Sequence, residues 1–149
     1  MSNIYHEKQR GNYCRCHAIN NLVGKQIVTT SEFDVLCDEY DTKHQYEKGV
    51  SRCRYYFINN GGTNNIFGHV FQKKGYSVTM THYDYYKQKS IQDSDVTYGC
   101  IVYNMSHTFC IRRINGVLYK IDSMQRAPQR INMRLFQRRG YGIINVICS

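Results

Sequence analysis

The apolar residues of this chain change period part-way along it, and that change limits the class of fold it can adopt. Up to about residue 75 they recur every three or four positions. Cys14, His17, Ala18 and Leu22 share one helical face over residues 12–23, with Asn12 as the expected cap and Gly24 where a terminating glycine belongs. Thr29-x-x-Glu32 is a capping box, followed by Phe33, Leu36, Cys37 and Tyr40 at i, i+3, i+4, i+7. A third helix is expected from residue 64 or 65 to 74, with Ile66, Val70 and Phe71 inward. From Tyr76 the period becomes two, as Val78 and Met80 alternate with Ser77, Thr79 and Thr81. Residues 99–104 form a short apolar run, and segments 107–114 and 117–123 flank Asn115-Gly116, a strong hairpin signal. A last helix fits 132–139, and 142–148 reads as a final strand. Helices followed by a mainly antiparallel sheet is an α+β order, not the alternation of a doubly wound sheet.

Composition narrows the function classes. The 149 residues suit a single domain, 1–149, with 42% apolar and 21% charged residues, which excludes disordered and fibrous chains. No run approaches the roughly 18 apolar residues of a membrane span, and the polar stretch Met1 to Lys8 lacks the apolar core of a secretion signal. Seven cysteines without such a signal read as reduced thiols, and the expected location is the cytosol. The net charge of +9 favours acidic partners. On a helix Arg130, Arg134 and Arg138 would share a face; a solvated face is the leading reading, ahead of nucleic acid, an acidic protein or an anionic membrane surface. Cys14-x-Cys16-His17 resembles a metal motif, but residues two apart on a helix point in nearly opposite directions, so neither a metal nor a cofactor is expected.

The chemistry is expected at Cys14. It falls in the first turn of a helix, where unpaired N–H groups and the helix dipole lower a thiol pKa. A base and a residue to orient it must then come from elsewhere in the chain. If Asn115-Gly116 is a two-residue turn, paired positions sum to 231, which puts Asp122 opposite Phe109. His107 and Asp122 then share a face as diagonal neighbours, about 7–8 Å apart at the backbone. From spacing alone, a solvated His and Asp are as good an account as a catalytic pair.

The residues Ile4-Tyr5-His6-Glu7-Lys8-Gln9, Gly11, Cys14, His17 and Asn20-Asn21-Leu22 resemble the N-terminal motif of the Josephin-domain deubiquitinases, the ataxin-3 family. Tyr103 to Phe109 and Tyr119 to Ser123 are similar to two further motifs of that family. The resemblance implies a papain-like cysteine protease, with N-terminal helices packed on the sheet; short, compact and rich in tyrosine (14 Tyr), the chain reads as a viral or protist version. The resemblance also implies cleavage after the Gly-Gly terminus of ubiquitin or polyubiquitin by a monomer. Cys14 would be the nucleophile and His107 the base and then the acid. Asp122 would orient the imidazole, at a position where the family has Asn or Asp. Gln9 would be an oxyanion donor with the Cys14 backbone N–H, and His17 would lie near the site. Segment 41–62 is too short and polar for the family's long helical hairpin, and Thr108 stands where an aromatic residue is expected. The alternatives are a protease for another ubiquitin-like modifier, a catalytically weak ubiquitin-binding module, or a basic nucleic-acid-binding module.

Overall fold

Helices α1 (Cys14–Val23), α2 (Thr30–Lys43), α3 (Val50–Cys53) and α4 (Ile66–Lys73) come first. Strands β1 (Val78–Tyr83), β2 (Gly99–Tyr103), β3 (Thr108–Ile114), β4 (Val117–Ile121), β5 (Gln129–Arg130) and β6 (Gly142–Cys148) follow. The computed structural model describes residues 4–53, 65–83, 91–104, 106–134 and 141–148. The strands make one sheet in the order β1-β6-β2-β3-β4-β5, with every neighbouring pair antiparallel. The α+β order expected from the change of period is the architecture found.

Local chemistry accounts for several element ends. Thr29 Oγ1 accepts from the Glu32 N–H at 3.1 Å and Glu32 Oε1 accepts from the Thr29 N–H at 3.0 Å, so the capping box that opens α2 is complete. Such a cap stabilises a helix by about 1 kcal/mol. Gly24 ends α1 with φ 88°, its N–H bonded to the Asn20 carbonyl at 2.8 Å. At the hairpin, Asn115 and Gly116 take φ 50° and 79°, the two left-handed residues of a type I′ turn. Pairing then runs Ile114 to Val117, Ile111 to Lys120 and Cys110 to Ile121, so the expected register holds.

Other boundaries differ from expectation. Asn12 does not cap α1: the cap position is Tyr13, whose hydroxyl, too far along the ring to cap its own helix, donates to Asp34 Oδ2 at 2.6 Å. Helix α4 begins at Ile66, after Asn65 in a helical conformation. Arg130 is not on a helix with Arg134: it lies in β5 opposite Tyr119, where short-range pairing with β4 takes the backbone. Arg138 and most of the expected 132–139 helix fall outside the described residues. Of segment 41–62, residues 41–53 complete α2 and form the single turn α3, and the remainder also falls outside them.

The sheet has a core on each face. Cys16, Ile19 and Leu22 of α1, Phe33 and Leu36 of α2, and Phe67 and Phe71 of α4 pack with Cys110, Tyr119 and Ile121 on one face. The alternating residues Phe109, Ile111 and Leu118 join Val102, Met133 and Ile143 on the other. α1 is buried along nearly its whole length, so its N-terminal tip is held at a fixed place beside the start of β3. Gly99 makes this close approach feasible, since a Cβ there would lie 2.5 Å from the Ile111 carbonyl oxygen and 2.4 Å from Leu22 Cδ1. Gly99→Ala is expected to destabilise the fold by about 1–3 kcal/mol, read as a lower denaturant midpoint with an unchanged slope. An unshifted midpoint would mean that α1 does not press on β2 in this way.

Candidate active site

Three short segments deliver the site. The first residue of α1 is Cys14, and its backbone N–H has no intrahelical acceptor. His107 precedes β3 in a turn that Asn104 shapes: Asn104 Oδ1 accepts from the N–H of Ser106 at 2.9 Å and of His107 at 3.0 Å. The Asn104 N–H in turn donates to the His107 carbonyl at 3.0 Å. Asp122 follows β4 directly. Its Oδ1 accepts from His107 Nε2 at 2.6 Å and from the Met124 N–H at 2.9 Å.

With Nε2 engaged by the carboxylate, Nδ1 is the ring nitrogen left for the hydrogen bond between His107 and Cys14. Burial pushes the Cys14 thiol up. The hydrogen bonds from His107 and the Thr108 backbone N–H, with the charges of His107 and Arg15, outweigh it and leave the thiol below its ordinary value. Burial pushes His107 down, but the hydrogen bonds and charges of Asp122 and Cys14 raise it to about 9. Asp122 is likewise pushed up by burial and held below the ordinary carboxylate range by His107, the Met124 N–H and Lys120. The three shifts favour one charge state: thiolate, imidazolium and carboxylate in a row. Cys16, two residues further along α1, shows the contrast, since burial and nearby carboxylates push its thiol up to about 12.

The N-terminal segment straps α1 to the Asp122 end of the sheet. His6 Nε2 donates to the Asp122 carbonyl at 2.7 Å, and the Gln9 N–H donates to the Ser123 carbonyl at 2.7 Å. Gln9 is held at both ends of its amide. Ser123 Oγ donates to its Oε1, while one Nε2 N–H donates to the Gly11 carbonyl at 2.6 Å and leaves the other for a further acceptor. Glu7 is the hub of the strap. Its carboxylate accepts from the Tyr5 hydroxyl, from His17 Nδ1 at 2.8 Å and from Asn20 Nδ2 at 3.1 Å. Asn20 also accepts from the N–H groups of Ile27 and Val28 at 2.9 and 3.1 Å, pinning the loop after α1.

His17 lies one helical turn from Cys14 along α1, with its ring bound into the strap. Both ring nitrogens are used, Nδ1 toward Glu7 and Nε2 as acceptor from the Arg10 N–H at 3.3 Å. Its work here is to join α1 to the strap. Glu7, His6, Ser123, Asn104 and Lys120 were not among the candidates from sequence. An Asx-type turn is readable in Asn104-x-Ser106-His107, and Lys120 follows from the hairpin register; the contacts of His6 and Ser123 span more than a hundred residues and leave no local signal.

A sequence profile of the Josephin family matches residues 9–138. The chain belongs to the Josephin family. It is similar to a Josephin-like protein of Drosophila melanogaster, 25% identical over 143 residues that cover 85% of this chain and 62% of the fly protein. It is also similar to a Josephin-like protein of Arabidopsis thaliana, 26% identical over 147 residues covering 86% of this chain and 41% of the plant protein. The chain thus spans less than two-thirds of either relative's length. The Josephin family is associated with deubiquitinase activity, and the α+β architecture fits its papain-like fold.

The charge state gives a pH dependence with a definite sign. Asp122 and Cys14 raise His107, so imidazolium persists up to about 9 and the pair is lost as pH rises through that value. Asp122→Asn is expected to bring the His107 midpoint down and to lift the Cys14 thiol, slowing iodoacetamide alkylation of Cys14 at pH about 6 by roughly ten-fold or more. Equal alkylation rates in the two proteins would contradict a carboxylate-supported pair.

Proposed function

We propose that this chain is a thiol-dependent deubiquitinase that hydrolyses the peptide or isopeptide bond after the C-terminal Gly-Gly of ubiquitin. The observation that carries the reading is the row Cys14, His107, Asp122 at the tip of a buried helix, in a chain of the Josephin family. The Cys14 thiolate attacks the glycine carbonyl carbon, and the carbonyl π electrons move to oxygen. The orphan N–H of Cys14 and the remaining Nε2 N–H of Gln9 are the donors for that oxyanion. His107 gives its Nδ1 proton to the leaving amine as the C–N bond breaks, which leaves a thioester. Neutral His107 then takes a proton from water, the hydroxide displaces the thiolate, and ubiquitin leaves with a free carboxylate.

Each role places a demand on the fold that the residues meet by ordinary means. The base must present one fixed tautomer and orientation, which the bond to Asp122 supplies. The oxyanion donors must be set before the charge appears, because a preorganised dipole loses nothing to reorientation during reaction. The bonds of Gln9 to Ser123 and Gly11 supply that fixity.

A ubiquitin probe bearing a C-terminal electrophile is expected to label wild type once, at Cys14, and not to label Cys14→Ala. Gln9→Ala should lower kcat on a ubiquitin–fluorophore conjugate by about 10²–10³ in the folded protein. Probes built on other ubiquitin-like modifiers, tested beside ubiquitin, identify the substrate class. Labelling that survives Cys14→Ala, or ubiquitin binding by wild type without hydrolysis, would overturn the reading.

A further inference from the structure

The carboxylate that orients His107 has a second cation beside it. Asp122 Oδ1 is taken by His107 Nε2 and the Met124 N–H, while Oδ2 faces Lys120 Nζ at 3.8 Å. Lys120 sits in β4 opposite Ile111 and diagonal to Phe109, with its side chain 20% exposed. Its ammonium lies 4.7 Å from the Phe109 ring centroid, a cation–π distance. The same Phe109 ring lies 6.2 Å from the His107 ring, tilted by 35°, so one aromatic side chain touches both cation-bearing groups. A lysine placed this way is not a solvated surface charge: its stem is packed and its head is aimed at the unoccupied oxygen of the orienting carboxylate.

We propose that Lys120 is a positioning residue that sets the working pH of the Cys14–His107 pair by pairing with Asp122. The proposal rests on the deubiquitinase reading for its consequence in catalysis, though not for the electrostatics. An unpaired carboxylate beside the imidazole would hold the imidazolium so firmly that the proton needed by the leaving amine is given up reluctantly. Lys120 offsets that charge, so the orienting position is close to neutral as a unit while its hydrogen bond to His107 is kept. The ammonium also fixes Oδ2, which keeps Oδ1 turned toward Nε2. The other charged groups around the pair are few among the described residues. From α1 they are the Cys14 sulfur and, farther away, Arg15; from the N-terminal strap there is His6, on the Asp122 carbonyl. β5 brings the uncharged Gln129 opposite Lys120, with Arg130 next to it opposite Tyr119.

The test is an NMR titration of the His107 ring in wild type, Lys120→Met, Lys120→Gln and Lys120→Arg. Removing the positive charge should raise the His107 midpoint by about half to one pH unit, and Lys120→Arg should keep the wild-type value. The basic limb of kcat/KM on a ubiquitin–fluorophore conjugate should move upward with it. A purely structural lysine would lower activity or stability without moving either midpoint. The two neutral variants guard against misfolding of one, since the glutamine keeps a stem over Phe109. An unmoved His107 midpoint in a folded neutral variant overturns the proposal. A shifted midpoint in a protein that hydrolyses no ubiquitin conjugate would sustain the electrostatics and defeat the deubiquitinase reading, so the two failures are distinguishable.

Discussion

The bond from His107 Nε2 to Asp122 Oδ1, 2.6 Å long, is the contact on which the proposed chemistry depends. An imidazole is useful beside a thiol only if its ring is held in one orientation with the correct nitrogen turned to sulfur. The carboxylate does both, and its burial makes the effect strong, since little water competes for either partner. The consequence reaches Cys14: a charged ring on one side and a helix tip with unpaired N–H groups on the other lower a thiol that burial alone would raise. Cys16 and Cys110 lack that imidazolium, and burial pushes both thiols up.

Holding the three groups in register is work shared by the sheet and the strap. The hairpin fixes His107 relative to Asp122 through strand pairing, a short-range constraint. No such constraint fixes α1, which joins the sheet across the chain. It is placed by apolar packing on one face of the sheet and by the Glu7 network, whose bonds run to His17, Asn20 and Tyr5. Leaving those buried donors without an acceptor would cost about 1–3 kcal/mol each, which makes the strap a structural part of the site and not a loose N-terminal arm. Its three bonds to residues 122 and 123 then close the loop between α1 and Asp122.

Much of this was legible in the sequence, and the reasons are physical. The capping box at Thr29, the turn at Asn115-Gly116 and the period-two stretch in the second half are local rules, and local rules read well without an alignment. The hairpin register followed from the turn, so the approach of His107 to Asp122 was derivable before any coordinates. Asn12 is a good cap by type, yet α1 starts one position later, with Tyr13 at the cap and its hydroxyl on Asp34, 21 residues on. The Arg130–Arg134–Arg138 stripe failed at Arg130 for a related reason: the pairing of two residues with β4 overrides a helical charge pattern. His17 lies one helical turn from Cys14 in α1, and its ring is bound by Glu7, ten residues earlier, a contact that its spacing from Cys14 does not reveal.

Direct titration of the Cys14 thiolate by its ultraviolet absorbance, taken as wild type minus Cys14→Ala across pH, tests the central claim most plainly. The account calls for a thiolate already present at neutral pH, diminished when His107 is replaced by alanine. A Cys14 that ionises only near the ordinary thiol value of about 8.5, with or without His107, would contradict it.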